Sequence, residues 1–106
     1  MAKFLFEASY TAEGLRGLTK DKASGRQKAV TQAITGMGGK LEAFYYAFGD
    51  ADVILIVDFP DNTAAAAMSL AVAASGLVSV KTTALMTVDE VDQAIGKQVG
   101  YRAPGT

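Results

Sequence analysis

Hydrophobic and polar positions change their period several times along the chain, and each change marks an element. Lys3 to Tyr10 alternates, with Phe4, Phe6, Ala8 and Tyr10 on one side and Leu5, Glu7 and Ser9 on the other, which predicts a first strand. Thr11 to Thr19 contains Gly14 and Gly17 and no sustained period, so a loop is expected, longer than a plain strand-to-helix connection needs. A helical period follows. Ala23, Val30, Ala33, Ile34 and Met37 form its buried stripe, while Lys22, Arg26, Lys28 and Gln32 fall off it. The helix starts either at a capping box, Ser24-Gly25-Arg26-Gln27, or near Asp21, and Gly36, Gly38 and Gly39 end it.

Alternation returns from Lys40 to Phe48, with Leu41, Ala43, Tyr45 and Ala47 opposed to Glu42, Phe44, Tyr46 and Phe48. Beyond a tight turn at Gly49-Asp50-Ala51-Asp52, the segment Asp52 to Phe59 is apolar on both sides, which predicts a central strand covered on both faces. Pro60-Asp61-Asn62-Thr63 closes that strand and offers N-cap chemistry to a second helix. Its core stripe is Ala64, Ala67, Met68, Ala71 and Val72. The opposite face, with Ala65, Ala66, Ser69 and Ala73, is small and uncharged, so a packing partner is expected there. Gly76 caps this helix, and a fourth strand, Leu77 to Thr87, sets Val78, Val80, Thr82, Ala84 and Met86 against Leu77, Ser79, Lys81, Thr83 and Leu85. A short helix with an acidic start, Val88 to Gln98, and a Gly/Pro tail complete the chain.

Strand, helix, strand, strand, helix, strand is the repeated unit of the ferredoxin-like α+β fold, here as one domain over residues 1–99 with a tail at 100–106. It predicts a four-stranded antiparallel sheet with strands one and three central. Two helices lie on one face, with the short C-terminal helix in addition. The other face would expose Leu5, Glu7, Ser9, Phe44, Tyr46, Phe48, Ile54, Ile56, Lys81, Thr83 and Leu85, too apolar a surface for a solvated monomer. A second copy is the expected cover, giving a two-fold homodimer of the dimeric α+β barrel kind.

Composition narrows the chemistry. Ten basic residues balance eleven acidic ones, so neither nucleic acid nor an anionic membrane surface has an electrostatic footprint. With no histidine and no cysteine, zinc fingers, iron–sulfur clusters, disulfide scaffolds, thiol nucleophiles and His-based triads are excluded. No pattern marks a metal or cofactor site, although carboxylates alone keep a hard cation chemically feasible. The missing cysteines fit a cytoplasmic protein. Met1 to Glu7 has too short an apolar run for a signal-peptide core. Thr63 to Val80 carries no charge, but its Ala, Ser and Thr content and Gly76 indicate a packed helix and strand rather than a membrane span.

Candidate site residues are few. Asp52, at the entry to a very apolar strand, is either a carboxylate with a raised pKa or, the commoner use, a turn cap. Glu7 and Lys81 should face each other across neighbouring strands, as an ion pair or as a polar spot in an apolar cavity. Tyr10, Tyr45 and Tyr46 lie near strand ends, where phenols pack their rings and bond at an edge. A pocket lined by these tyrosines and closed by the Thr11–Thr19 loop would suit an aromatic or lipophilic ligand, with Arg16, Lys22 and Arg26 as a cationic rim. Gly36-Met37-Gly38-Gly39 ends a helix rather than opening one, so it is no phosphate cradle.

Several segments in order carry a resemblance. Phe44-Tyr45-Tyr46-Ala47-Phe48-Gly49-Asp50-Ala51-Asp52-Val53-Ile54, the step Asp58-Phe59-Pro60-Asp61-Asn62, the alanine run, Val80-Lys81-Thr82-Thr83-Ala84-Leu85, and Gly14-Leu15-Arg16-Gly17-Leu18 resemble the GYD domain family over nearly the whole chain. Gly49 and Asp52 fit the signature at the hairpin, but Ala51 stands where its tyrosine would be. The resemblance implies the ferredoxin-like fold and a dimer, and brings no settled biochemical function. With the residues above, it leads to an oligomeric small-molecule binding or sensing module. The alternatives are a cofactor-free monooxygenase or isomerase of the dimeric α+β barrel type, and a structural protein assembling through the alanine face.

Overall fold

The computed structural model describes residues 1–106. Its elements run β1 (Ala2–Tyr10), α1 (Ala12–Gly36), β2 (Lys40–Tyr46), β3 (Val53–Phe59), α2 (Asn62–Ala74), β4 (Val78–Leu85) and α3 (Val88–Ile95). The four strands form one antiparallel sheet in the order β2-β3-β1-β4, so the two most apolar strands are central as expected. This is the ferredoxin-like α+β fold. No helix is long and apolar enough to cross a membrane.

The core lies between one sheet face and α1 and α2. Phe4, Phe6 and Ala8 of β1 meet Val53, Leu55, Val57 and Phe59 of β3, and Ile34 and Ala65 close them from the helices. Alternation on β3 is strict: its odd-numbered residues are buried and its even-numbered ones half-buried on the other face.

The expected loop at Thr11 to Thr19 is instead the first half of α1. Thr11 is the N-cap, its hydroxyl accepting from the Gly14 amide at 3.1 Å, and Glu13 complements the helix dipole. Gly14 looked like a loop residue but serves close packing: a Cβ there would sit 2.3 Å from the Leu77 carbonyl oxygen. Ser24 therefore lies inside the helix and caps nothing. Ala23 and Ala33, expected on the buried stripe, are exposed, while Ile34 is fully buried.

A break does occur beside Asp21. Lys22 has φ 67° and ψ 160°, a region almost reserved for glycine, and it kinks α1 into two segments. Lys22→Gly is expected to raise folding stability by about 1 kcal/mol by relieving this strain. Urea denaturation checks it, and a lowered midpoint would show that the lysine side chain contributes more than its backbone conformation costs.

Two further corrections concern faces. Between Leu41 and Ala43 the β2–β3 register shifts by one residue, a β-bulge at Glu42. Leu41 opposes Val57, and beyond the bulge Phe44 opposes Leu55 and Tyr46 opposes Val53. Phe44 and Tyr46 thus join the helix-covered face, while Ala43 and Tyr45 join the open one; Phe48 sits fully exposed in the hairpin connection. On α2, Ala65 is buried and Ser69 half-buried with its hydroxyl against Thr82, whereas Ala67 and Ala71 are exposed. The helix is rotated by about one position from the expected stripe because its small residues differ little in hydrophobicity.

α3 has a complete capping box. The Thr87 hydroxyl accepts from the Glu90 amide, and Glu90 Oε1 accepts from the Thr87 amide, which holds the Glu90 carboxyl below its ordinary range.

Candidate functional site

An apolar cleft opens between the sheet and the two helices. Phe6, Ala8, Val53 and Leu55 make its floor, Phe44 and Val80 its flanks, and Val30, Met68 and Val72 its helical walls, around about 70 Å³ of space. The helices reach the cleft with few large side chains, so they meet over it incompletely. Arg26 is the one charged residue lining it. It stands on the segment of α1 that follows the Lys22 kink and lies 3.7 Å from Asp21, too long for a tight ion pair.

Tyr10 lines the cleft with Arg26, and Tyr46 stands beside both, outside the lining. The Tyr46 hydroxyl donates to the Ala23 carbonyl at 3.3 Å, just past the kink, and its ring packs edge-on against Phe44 with centroids 5.5 Å apart. Partial burial, followed by the neighbouring Tyr10 phenol, pushes the Tyr46 pKa above 10.0, with Arg26 opposing. The Tyr46 phenol is thus protonated at neutral pH and acts as a hydrogen-bond donor.

The other candidates are elsewhere. Asp52 is a clasp: its Oδ2 accepts from the Tyr10 amide at 2.9 Å, and its own amide donates to the Ala8 carbonyl at 2.8 Å. It ties the hairpin to the end of β1 rather than facing the cleft. Arg16 is exposed on the first segment of α1, outside the cleft lining. Lys81 opposes Glu7 in the β1–β4 register, on the open sheet face, yet the two charges do not close to an ion pair. With Ser9, Asp50 and Ser79 they line a shallow polar depression that includes Ala51. Lys3, at the other end of this face, bonds Glu42 at 2.7 Å and Asp58 at 3.0 Å, the bulge having brought Glu42 within reach.

The residues that sequence reasoning missed are the apolar ones. Val30, Met68 and Val72 were expected as plain core, and Phe44 on the wrong face; only a sign of the bulge at Glu42 would have placed Phe44 in the cleft.

The family model of the GYD domain matches residues 4–95, from the first core phenylalanine to the end of α3. The chain belongs to the GYD domain family. No curated protein and no solved structure gives a match. In this GYD domain Ala51 lines the polar depression beside Asp50 and Lys81.

Proposed function

We propose that this GYD domain binds a small apolar molecule carrying one acidic oxygen, and that it does so as a homodimer closed through the open sheet face. The observation that carries the binding reading is that one guanidinium and one phenol, with the Tyr46 phenol beside them, border an otherwise apolar space. A cavity of about 150 Å³ holds benzene, so the interior accepts part of one ring or a short chain and leaves the polar end at the rim. Arg26 supplies the charge for that end, and Tyr46 and Tyr10 supply neutral hydrogen bonds. No carboxylate or lysine lines the cleft, so it lacks the usual side chains of a general base, which favours binding over monooxygenase or isomerase chemistry.

The dimer reading rests on Leu5, Ile54, Ile56 and Leu85, which form an apolar band on the face that no helix covers. Charges of both signs, Glu7 and Lys81, border it on adjacent strands, so a two-fold rotation can set each against its opposite.

Benzoate and benzyl alcohol, titrated into labelled protein and followed by amide NMR, test the site. Both should shift amides around Val30, Phe44 and Met68, with benzoate the tighter. Arg26→Met should weaken benzoate about tenfold or more, the worth of one charged hydrogen bond, and leave benzyl alcohol unchanged. Shifts scattered away from the cleft, or none at all, would overturn the reading.

A further inference from the structure

The chain exposes more surface than a compact protein of its mass. A folded monomer of 11.0 kDa exposes about 5,600 Å², whereas this chain exposes 7364 Å². The excess, roughly 1,700 Å², is about twice what one partner contributes to an interface of standard size. The radius of gyration is 17.0 Å where about 13 Å is usual for this length, and the longest dimension is 57 Å. The C-terminal segment joins the end of β4 through two residues, Met86 and Thr87, and every residue from Met86 to Thr106 is exposed, so it packs little against the body.

That segment is amphipathic. Val88, Val91 and Ile95 recur at helical spacing, and Val99 continues the series beyond the helix; Val88, Ile95 and Val99 are each more than three-quarters exposed. Asp89, Glu90 and Asp92 lie between them. An isolated helix of eight residues is marginal in water, so the stripe needs a surface to persist. The same chain carries an unfilled one. Between α2 and the edge strand β4 runs a groove of about 560 Å³ lined by Phe4, Ala66, Leu70, Val80 and Ala84. No charged residue lines it, and its small side chains allow close approach of a helix backbone. From Asn62 to Leu70 it follows about 13 Å of α2, against about 12 Å for α3.

We propose that α3 is an exchanged arm, whose Val88–Val91–Ile95 stripe seats in the α2–β4 groove of a second copy. Both halves of the contact are present on every chain, so two copies satisfy each other without a third component. The acidic positions then remain in water because the groove is uncharged. The inference uses the dimer of the preceding reading and adds a contact that the sheet face does not contain.

The chain has no cysteine, so introduced thiols are unique. Full-length Leu70→Cys and Val91→Cys variants, both at surface positions, are mixed and treated with a short bismaleimide, and products are read by mass. The expected product is the mixed heterodimer in large excess over either homodimer. Adding Val88→Asp and Ile95→Asp to the Val91→Cys variant should abolish it and weaken self-association at least tenfold. An intrachain loop in the Leu70→Cys/Val91→Cys double variant would place the arm on its own body and overturn the exchange. A dimer without the mixed product would overturn the arm alone and leave the sheet-face reading standing. A wholly monomeric sample would overturn both.

Discussion

Phe59→Ala is expected to remove about 3–5 kcal/mol of folding stability, the usual cost of deleting a buried phenylalanine ring. Phe59 is inaccessible to solvent, and its ring meets Phe4 and Phe6 with centroids 6.3 and 6.1 Å apart. Gly39 presses on it closely enough that a Cβ there would lie 2.7 Å from the ring. Backbone on one side and sheet on the other leave little freedom to collapse into the cavity, which puts the cost toward the upper end. A small domain has about 5–15 kcal/mol in total, and the core here is nine side chains. At about 4–8 °C per kcal/mol the melting temperature should fall by roughly 12 °C or more. Urea unfolding with an unchanged slope would confirm the size of the effect. A loss under about 1 kcal/mol would mean that Phe4 and Phe6 repack across the gap.

Ile56→Asp should separate the proposed dimer while leaving the fold in place. Ile56 is central on the open face, opposite Leu5 on one side and Ala43 on the other, with no cation opposite it in the register. In a single copy the new carboxylate points to water. In a sheet-to-sheet dimer it would be buried without a partner, at about 3–5 kcal/mol, which weakens association roughly a hundred- to several-thousand-fold. Sedimentation equilibrium gives the mass, and circular dichroism checks that the chain is still folded. An unchanged dimer would move the interface off the sheet. Because the cleft lies on the opposite face, benzoate binding should survive the substitution, which separates assembly from ligand recognition.

The sheet order was legible because β3 is apolar on both faces and β1 nearly so, and only central positions tolerate that. What misled was information that a single strand or helix does not carry. Gly14 has the same letter whether it loosens a loop or lets α1 back against Leu77, and the difference lies sixty residues away in sequence. In α2 the large residues Met68, Leu70 and Val72 are too few to define a stripe among alanines, and Leu70 turns out to water, 70% exposed. Tyr10, Arg26 and Tyr46 could be named as candidates from their types and places. That these three converge while Asp52, Arg16 and Lys81 do not depends on strand parity and on the helix kink. Neither has a clear mark in the sequence. Lys22 least of all, since nothing about a lysine announces a glycine's backbone angles.

The extra residue at Glu42 also makes β2 tolerant of losing one residue at that point. Deleting Glu42 alone, with the hairpin register held, would restore regular pleating with Leu41 and Phe44 two positions apart and still on the helix-covered face. Phe44 and Tyr46 would keep Leu55 and Val53 as their partners, the phenol that bonds Ala23 would stay in place, and the loss would be the Glu42 carboxylate that bonds Lys3. One codon can thereby be lost from β2 with the ligand-facing side chains unmoved, and the cost falls on the outer face alone.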